Sequence, residues 1–156
     1  MYRVLYPDSE HRQAGFGMKK IEVGKVISAA PEVVWEKLTD IGALVAGGLG
    51  IVSLTGEMRA GGRLKLVSEV APGRAFALKV TEFVPGQRMV WTSGMPFGLF
   101  KGVRTFTLTP VPGGTELTMC EVFTGLMLPM IWRSMPDLTP SFQKFATGLK
   151  QLAERA

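Results

Sequence analysis

Two charged residues, Arg104 and Glu121, fall on the apolar faces of two neighbouring segments whose polarity alternates with a period of two. Such alternation is typical of β-strands, and the Pro-Gly-Gly turn between the segments favours a hairpin. If Leu108 pairs with Leu117 across this turn, Arg104 lies directly opposite Glu121. Residues that face each other in this way have Cβ atoms about 4.5–5.5 Å apart. The sequence therefore predicts an Arg104–Glu121 ion pair on the inward face of a sheet.

An arginine–carboxylate pair on an apolar face has two interpretations. The pair can be a buried salt bridge whose members satisfy each other, since a buried charge is costly without a partner. It can also be the polar anchor of a ligand site, because pockets combine apolar walls with a few placed polar groups. In that case Arg104 would meet a carboxylate or carbonyl and Glu121 a hydroxyl. A register shift of one residue would turn both side chains outward.

The rest of the chain offers few residues for catalysis or metal binding. It has one cysteine, Cys120, and one histidine, His11, whereas a structural zinc site needs about four such ligands. Residues 47–50 (Gly-Gly-Leu-Gly) follow a predicted helix, so they are not a dinucleotide-binding fingerprint, and no phosphate-binding loop motif occurs. No acidic cluster suits a hard cation. We therefore expect no metal and no cofactor.

Seven strands are predicted to carry these residues. The first spans residues 20–27 and is rich in β-branched side chains. Six more alternate with a period of two, at about residues 51–57, 63–70, 74–84, 87–94, 101–109 and 115–124. Short Gly- and Pro-containing links separate most of them, which indicates an antiparallel meander.

Helices are predicted before and after these six strands. Ser28 or Ala30 precedes a short helix with Pro31 in its first turn, and Asp40 begins a second one that ends at Gly47. A long C-terminal helix is expected to follow Thr139 as its N-cap, because apolar residues then recur at helical spacing. The apolar segment 126–138 contains two prolines, which predicts a kinked or two-part helix.

Length and composition restrict the class of protein. The 156 residues, 46% of them hydrophobic and 20% charged, fit one domain with a sizeable core. No stretch reaches about 18 uninterrupted apolar residues, so we expect no stable membrane insertion. With a single cysteine and no signal-peptide pattern, a cytoplasmic location is expected. We expect residues 1–17 to form an N-terminal extension and residues 18–156 a single domain, in a monomer or a homodimer.

The order of these elements and four short segments resemble the START-like superfamily, also called SRPBCC, which includes polyketide cyclase/dehydrase and pathogenesis-related allergen families. The segments are residues 30–35 (Ala-Pro-Glu-Val-Val-Trp), Gly56-Glu57 with Gly61-Gly62-Arg63, residues 85–92, and residues 148–154. The resemblance covers roughly residues 19–155. It implies an α+β helix-grip fold, in which a curved seven-stranded antiparallel sheet wraps a long C-terminal helix and leaves an apolar cavity.

Eighteen residues are predicted to line that cavity, from strand alternation and from the C-terminal segments. They are Leu66, Ser68, Phe76, Leu78, Met89, Trp91, Ser93, Arg104, Phe106, Met119, Glu121, Phe123, Met127, Ile131, Trp132, Met135, Phe142 and Phe145. Four methionines of the last strand and the segment after it, Met119, Met127, Met130 and Met135, would suit a permissive pocket, because methionine adapts to irregular shapes, although ordinary core packing is the preferred explanation. The loop at residues 95–100 is interpreted as an entrance lid or as a plain surface loop.

The positive charge is confined to the central strands. Residues 57–104 hold eight basic and three acidic residues, whereas the flanking parts are balanced. Alternation places a basic set on the outer face: Arg63, Lys65, Lys79, Arg88 and Lys101. Such a face could meet an anionic membrane or nucleic acid, or simply be solvated. No exposed aromatic pattern accompanies it, so we expect no nucleic-acid partner.

Three functions remain open. The cavity and the scarcity of catalytic side chains favour a binding or carrier protein for a hydrophobic small molecule. The alternative is a polyketide cyclase/dehydratase-like enzyme, with Glu121 as acid or base and Arg104 polarising a carbonyl. Against it, no histidine or tyrosine is predicted in the cavity, since the two tyrosines are Tyr2 and Tyr6. A further alternative is a protein- or membrane-interacting module that uses the basic sheet face.

Overall fold

The computed structural model describes residues 17–156, which form seven strands and four α-helices. The strands are β1 (Lys19–Ile27), β2 (Ile51–Gly56), β3 (Arg63–Ser68), β4 (Ala75–Val84), β5 (Arg88–Gly94), β6 (Lys101–Val111) and β7 (Gly114–Thr124). The helices are α1 (Pro31–Leu38), α2 (Ile41–Ala46), α3 (Leu128–Ser134) and α4 (Thr139–Glu154), and a single 3-10 turn lies at Pro96–Gly98. The predicted N-terminal extension lies outside the described residues apart from Gly17, as does His11.

The strands make one antiparallel sheet in the order β1-β7-β6-β5-β4-β3-β2. From β2 to β7, each strand pairs with the next one along the chain, as the short Gly- and Pro-containing links predict. Strand β1 pairs with β7, so the first strand and the last lie side by side. The α+β helix-grip fold expected from the resemblance is confirmed.

The register of the β6–β7 hairpin is the predicted one. Leu108 faces Leu117, and Arg104 faces Glu121. The tight turn between them uses Gly113 at φ 80°, a left-handed conformation that glycine adopts without steric cost. The predicted strand pairing therefore brings the two charged residues together on one face.

Two irregularities curve the sheet. The β4–β5 register shifts between Val80 and Glu82, and the β2–β3 register shifts between Ile51 and Ser53. An extra residue in one strand of a pair bends that strand and increases its twist. Beyond the β4 shift, the Phe83 ring packs edge-on against Trp35 of α1, with ring centroids 5.0 Å apart. The sheet thereby wraps around the helices.

The long helix α4 fills the concave side of the sheet. Its buried residues recur at helical spacing: Phe142, Phe145, Ala146, Gly148, Leu149 and Ala153. Gly148 is required for close packing, because a Cβ there would lie 2.7 Å from two side-chain carbons of Leu49. At the C-terminal end of α4, Glu154 Oε1 accepts a hydrogen bond of 2.9 Å from the Ser28 backbone N–H.

Helices α3 and α4 are separate, so the C-terminal region is in two parts and is not one kinked helix. Residues 135–138, with Pro136 among them, form the non-helical link between them. Thr139 is the first residue of α4 and not its N-cap as expected; Asp137 Oδ1 accepts the Thr139 backbone N–H at 3.0 Å. Hydrogen bonds from the backbone and the side chain of Thr139 hold the pKa of Asp137 below its usual range. None of the helices in residues 17–156 is long and apolar enough to span a membrane.

Candidate functional site

A cavity of about 550 Å³ lies between the inward face of the sheet and the segment that runs from α3 into α4. It occupies the open end of the sheet, where β6 begins and β7 ends. At the opposite, closed end lies the β6–β7 turn. The loops that join β3 to β4 and β5 to β6 contribute to the wall, as do the start of β2 and the α3–α4 link. Its volume falls in the range of about 300–1,000 Å³ that small-molecule sites occupy.

Fifteen of the eighteen predicted residues line this cavity. They are Leu66, Ser68, Phe76, Leu78, Trp91, Ser93, Arg104, Met119, Glu121, Phe123, Met127, Ile131, Met135, Phe142 and Phe145. Their shared inward direction follows from the period of two in the strands and from the buried stripe of α4. Whether they contact a ligand stays a prediction.

Three predicted residues lie elsewhere: Met89, Phe106 and Trp132. Met89 and Phe106 share the inward face but are fully buried toward the closed end, where the Phe106 ring packs 5.6 Å from that of Phe145. Alternation gives the face of a strand, but not how far along it a covering helix sits. The Trp132 ring packs 5.6 Å from Phe123 and lies below Lys19 Nζ at 5.8 Å, so it supports the wall from outside.

Twelve further residues line the cavity that strand alternation did not identify. They are Leu49, Gly50, Ile51, Val70, Ala71, Arg74, Met95, Phe100, Ser134, Pro136, Leu138 and Ser141. Most belong to loops and links, which have no periodicity to read. Met95 and Phe100 differ from the other ten, because the loop at residues 95–100 was already interpreted as an entrance lid. Its two ends are in the wall, whereas Phe97 at its tip is fully exposed.

The predicted Arg104–Glu121 ion pair forms within the cavity wall. Arg104 Nε and Nη2 both donate to a single oxygen, Glu121 Oε2, at 3.0 and 2.8 Å. The side chains are 19% and 8% exposed, and the Phe142 ring lies 4.4 Å from the guanidinium carbon Cζ. Because both bonds end on one oxygen, Glu121 Oε1 and Arg104 Nη1 have no hydrogen-bond partner within residues 17–156. The pair is thus half satisfied.

Gly102 makes room for the second oxygen of that carboxylate. It lies in β6 opposite Ser93, with Phe123 on its other side. A Cβ on Gly102 would lie 2.8 Å from Glu121 Oε1 and 3.4 Å from Ser93 Oγ. The carboxylate oxygen and the hydroxyl therefore converge on the space above this glycine. Sequence alternation did not identify Gly102, although a glycine inside a strand is the signal for close approach that could have found it.

A buried donor lies beside this group. Trp91 faces Arg104 across the β5–β6 pair, and its indole Nε1–H is the one buried side-chain polar group without a partner in the described part of the chain. Buried donors are nearly always hydrogen-bonded in native proteins. Arg104, Glu121 and Ser93 together make a polar cluster with one open donor group, one open carboxylate oxygen and one hydroxyl, whereas Trp91 Nε1 is itself fully buried.

The described wall holds no histidine, cysteine or tyrosine. Cys120 lies on the outer face, between the inward-facing Met119 and Glu121, and burial raises the pKa of its thiol. No group of three or more potential metal ligands occurs among residues 17–156. The wall can therefore bind through apolar contacts and the polar cluster, and Glu121 is the one carboxylate available there for proton transfer.

The outer face of the sheet carries the predicted basic side chains. Arg63, Lys65, Lys79, Arg88 and Lys101 are all exposed. Arg88 Nε donates to Glu82 Oε2 at 3.1 Å, so part of this charge is neutralised locally. These residues lie on the side of the sheet opposite the cavity.

Comparison with known proteins agrees with this architecture. The family described as "Polyketide cyclase / dehydrase and lipid transport" matches residues 18–156. No curated protein matches the chain significantly.

Solved structures share the fold at low sequence identity. A Mesorhizobium loti protein, MLL2253, superimposes with a TM-score of 0.71 at 24% identity, over 88% of this chain and 98% of that one. A Staphylococcus aureus protein of unknown function, SA2116, gives 0.69 at 15%, over 92% and 98%. A Thalictrum norcoclaurine synthase point mutant in complex with a transition-state analogue gives 0.68 at 12%, over 92% and 98%. At these identities the likeness concerns the fold alone.

Proposed function

Since the chain belongs to the polyketide cyclase/dehydrase and lipid transport family, a START-like family, we propose that it binds a hydrophobic small molecule in the cavity at the open end. The supporting observation is a space of about 550 Å³ whose apolar wall contains one half-satisfied ion pair. Apolar contacts would supply the affinity, and the few polar groups would orient the ligand.

The polar cluster suggests the chemistry of one end of the ligand. Arg104 Nη1 offers open N–H donors, whereas Glu121 Oε1 is an open acceptor. A carbonyl or carboxylate would accept from the donors, and a hydroxyl on the same molecule would donate to the carboxylate. We therefore expect an apolar ligand with an oxygenated end rather than a pure hydrocarbon.

Native mass spectrometry of the full chain, purified from its own source, tests the proposal directly. We expect an added mass that denaturation releases as an apolar compound.

A displacement assay tests the polar end of the site. Dodecanoate should displace the fluorescent probe anilinonaphthalene sulfonate about tenfold more effectively than dodecan-1-ol, because a charge-assisted hydrogen bond contributes roughly 1.5–3 kcal/mol. No added mass together with no displacement by either compound would overturn the proposal.

A cavity-filling variant separates binding inside the cavity from binding on the surface. Ser141 lines the cavity from the first turns of α4, whereas Gln143, two residues further on, does not. Ser141→Trp should abolish displacement of the probe by dodecanoate, and Gln143→Trp should leave it unchanged. Equal behaviour of the two variants would place the bound compound outside the cavity.

A cyclase/dehydratase-like reaction is the second candidate. One geometric observation favours it: Glu121 holds Arg104 through Oε2 and keeps Oε1 open beside it. Glu121 would move a proton, while Arg104 Nη1 would polarise a substrate carbonyl. Glu121→Gln should then abolish turnover of a hydroxy-ketone substrate without abolishing its binding. Unchanged turnover in the variant would exclude Glu121 as the acid–base group.

A further inference from the structure

Phe97 is an unusual residue at the open end of the sheet. It is 100% exposed and has a φ of 60°, in the left-handed region that non-glycine residues rarely adopt. The 3-10 turn at Pro96–Gly98 holds it there, between β5 and β6. Neither burial nor an easy backbone conformation explains a large aromatic side chain at this position.

A second apolar loop lies against the one that carries Phe97. The Met127 backbone N–H donates to the Leu99 carbonyl at 2.8 Å, and a Cβ on Gly125 would lie 2.4 Å from that same oxygen. Leu126 and Met130, on and just after this second loop, are 56% and 60% exposed. With Met95 they form one surface, which we call the mouth patch: Met95, Phe97, Leu126 and Met130.

Cations surround the mouth patch. Lys19, Arg74, Lys101 and Arg133 lie at the open end of the sheet or in α3, and none has a carboxylate partner among the described residues. Of the acidic residues in this region, Glu121 is paired with Arg104 at 2.8 Å, Glu69 is paired with Lys144 at 2.7 Å, and Asp137 binds the start of α4. The region is therefore apolar at its centre and positively charged around it.

The mouth patch is continuous with the cavity. Met95 belongs to both, and Met127, next to Leu126, lines the cavity wall. A molecule that leaves the cavity between these loops would reach the mouth patch first.

We propose that the mouth patch docks the protein onto an anionic lipid surface, with Phe97 and Leu126 inserted among the lipids and the surrounding cations at the headgroups. Surface binding of this kind combines buried apolar side chains with attraction to anionic lipids. A second copy of the chain is a poorer occupant, because a two-fold interface would bring the same cations of both copies together. The proposal concerns a partner surface and holds whether or not a ligand occupies the cavity.

Co-sedimentation of the full chain with vesicles tests this proposal. We expect binding to phosphatidylcholine vesicles that contain one quarter phosphatidylglycerol, and weak binding to pure phosphatidylcholine. Phe97→Asn should lower the partition coefficient at least about tenfold, because burial of a phenylalanine side chain contributes enough for that factor. Asparagine tolerates the left-handed conformation, so the variant should fold.

Two matched controls decide between the mouth patch and the rest of the surface. Leu126→Asn should weaken vesicle binding, whereas Val26→Thr, at a residue of equal exposure (58%) near the closed end, should not. Lys101→Gln with Arg133→Gln should reduce binding and its dependence on salt, whereas Arg63→Gln with Lys65→Gln, on the outer sheet face but nearer the closed end, should do neither. Equal losses within either matched pair would overturn the proposal. Absence of binding to the anionic vesicles would also overturn the proposal. A dimer in solution that Phe97→Asn dissociates would overturn it in favour of a second copy of the chain.

Discussion

The inward face of the sheet is covered by different helical segments at its closed end and at its open end. At the closed end, α1 and the C-terminal half of α4 cover that face, and Phe106, Leu117 and Leu149 are fully buried. At the open end, the broken α3–α4 segment covers it and leaves about 550 Å³ of space beside Arg104 and Glu121. One alternating pattern thus serves as core at one end and as cavity wall at the other.

The difference shows that the covering helices, rather than the strands, separate core from cavity. Pro136 interrupts helical pairing just before α4 begins, so α3 does not continue the line of α4. Polar residues are tolerated where the covering is loose, and this is where Ser68, Ser93 and the ion pair lie. Variants at matched positions of the two ends can test this contrast.

The largest expected effect comes from truncating one phenylalanine at each end. Phe106→Ala should lower the free energy of unfolding by about 3–5 kcal/mol, since it removes a fully buried ring packed against Trp91 and Phe145. Phe76→Ala, at a half-buried residue in the cavity wall, should cost about 1 kcal/mol or less, because the space beside it already exists. Urea unfolding measures both, and equal losses would contradict the contrast between the ends.

Breaking the ion pair should have the next largest effect. Arg104→Met leaves the Glu121 carboxylate buried without a counter-charge, which should cost about 2–3 kcal/mol, less than a fully buried pair because Arg104 is partly exposed. Arg104→Met combined with Glu121→Leu should recover most of this loss while abolishing the preference for a carboxylate ligand. A double-mutant cycle by urea unfolding measures the coupling. A double variant no more stable than Arg104→Met would show that the pair is not the source of the loss.

Filling the space above Gly102 should change binding more than folding. Gly102→Ala places a Cβ within 2.8 Å of Glu121 Oε1, so the carboxylate must move, and ligand affinity should fall about tenfold. Its unfolding free energy should change by about 1 kcal/mol or less, since the end of a side chain can shift. Gly24→Ala, whose Cβ would be 3.8 Å from its nearest neighbour, is the strand control. Unchanged ligand affinity in Gly102→Ala would show that Glu121 does not contact the ligand.

The smallest expected effects concern two exposed carboxylates that lie at opposite ends of α4. Hydrogen bonds from Thr139 lower the pKa of Asp137, and hydrogen bonds from Lys150 and Ser28 lower the pKa of Glu154. A lowered folded-state pKa gives stability that is present above the unfolded pKa, about 4, and lost as pH falls through the folded value.

Asp137→Asn and Glu154→Gln should therefore each lose a little stability at neutral pH and converge with the unaltered protein in acid. Thermal unfolding from pH 2 to 7 measures this convergence. A stability difference that persists unchanged at pH 2 would mean that the carboxylate charge is not responsible.

Much of the fold was predictable because it rests on local rules. Period-two alternation identifies the strands, and the turn between β6 and β7 sets the register that pairs Arg104 with Glu121. The cavity was predictable in part, since inward direction follows from the same alternation. Arg74 and Ser134 were not predicted in the wall, because residues of loops and short helices acquire a direction only when the covering segments are placed.

The sequence by itself determined the meander of the six strands β2 to β7 and the facing charges. Each depends on steric and pairing rules between residues close in the chain or joined by a short turn. Only the tertiary structure decided that Met89 and Phe106 belong to the core whereas Phe76 and Trp91 line a cavity. That distinction depends on where α3 and α4 cross the sheet, and this position follows from packing between residues far apart in the chain.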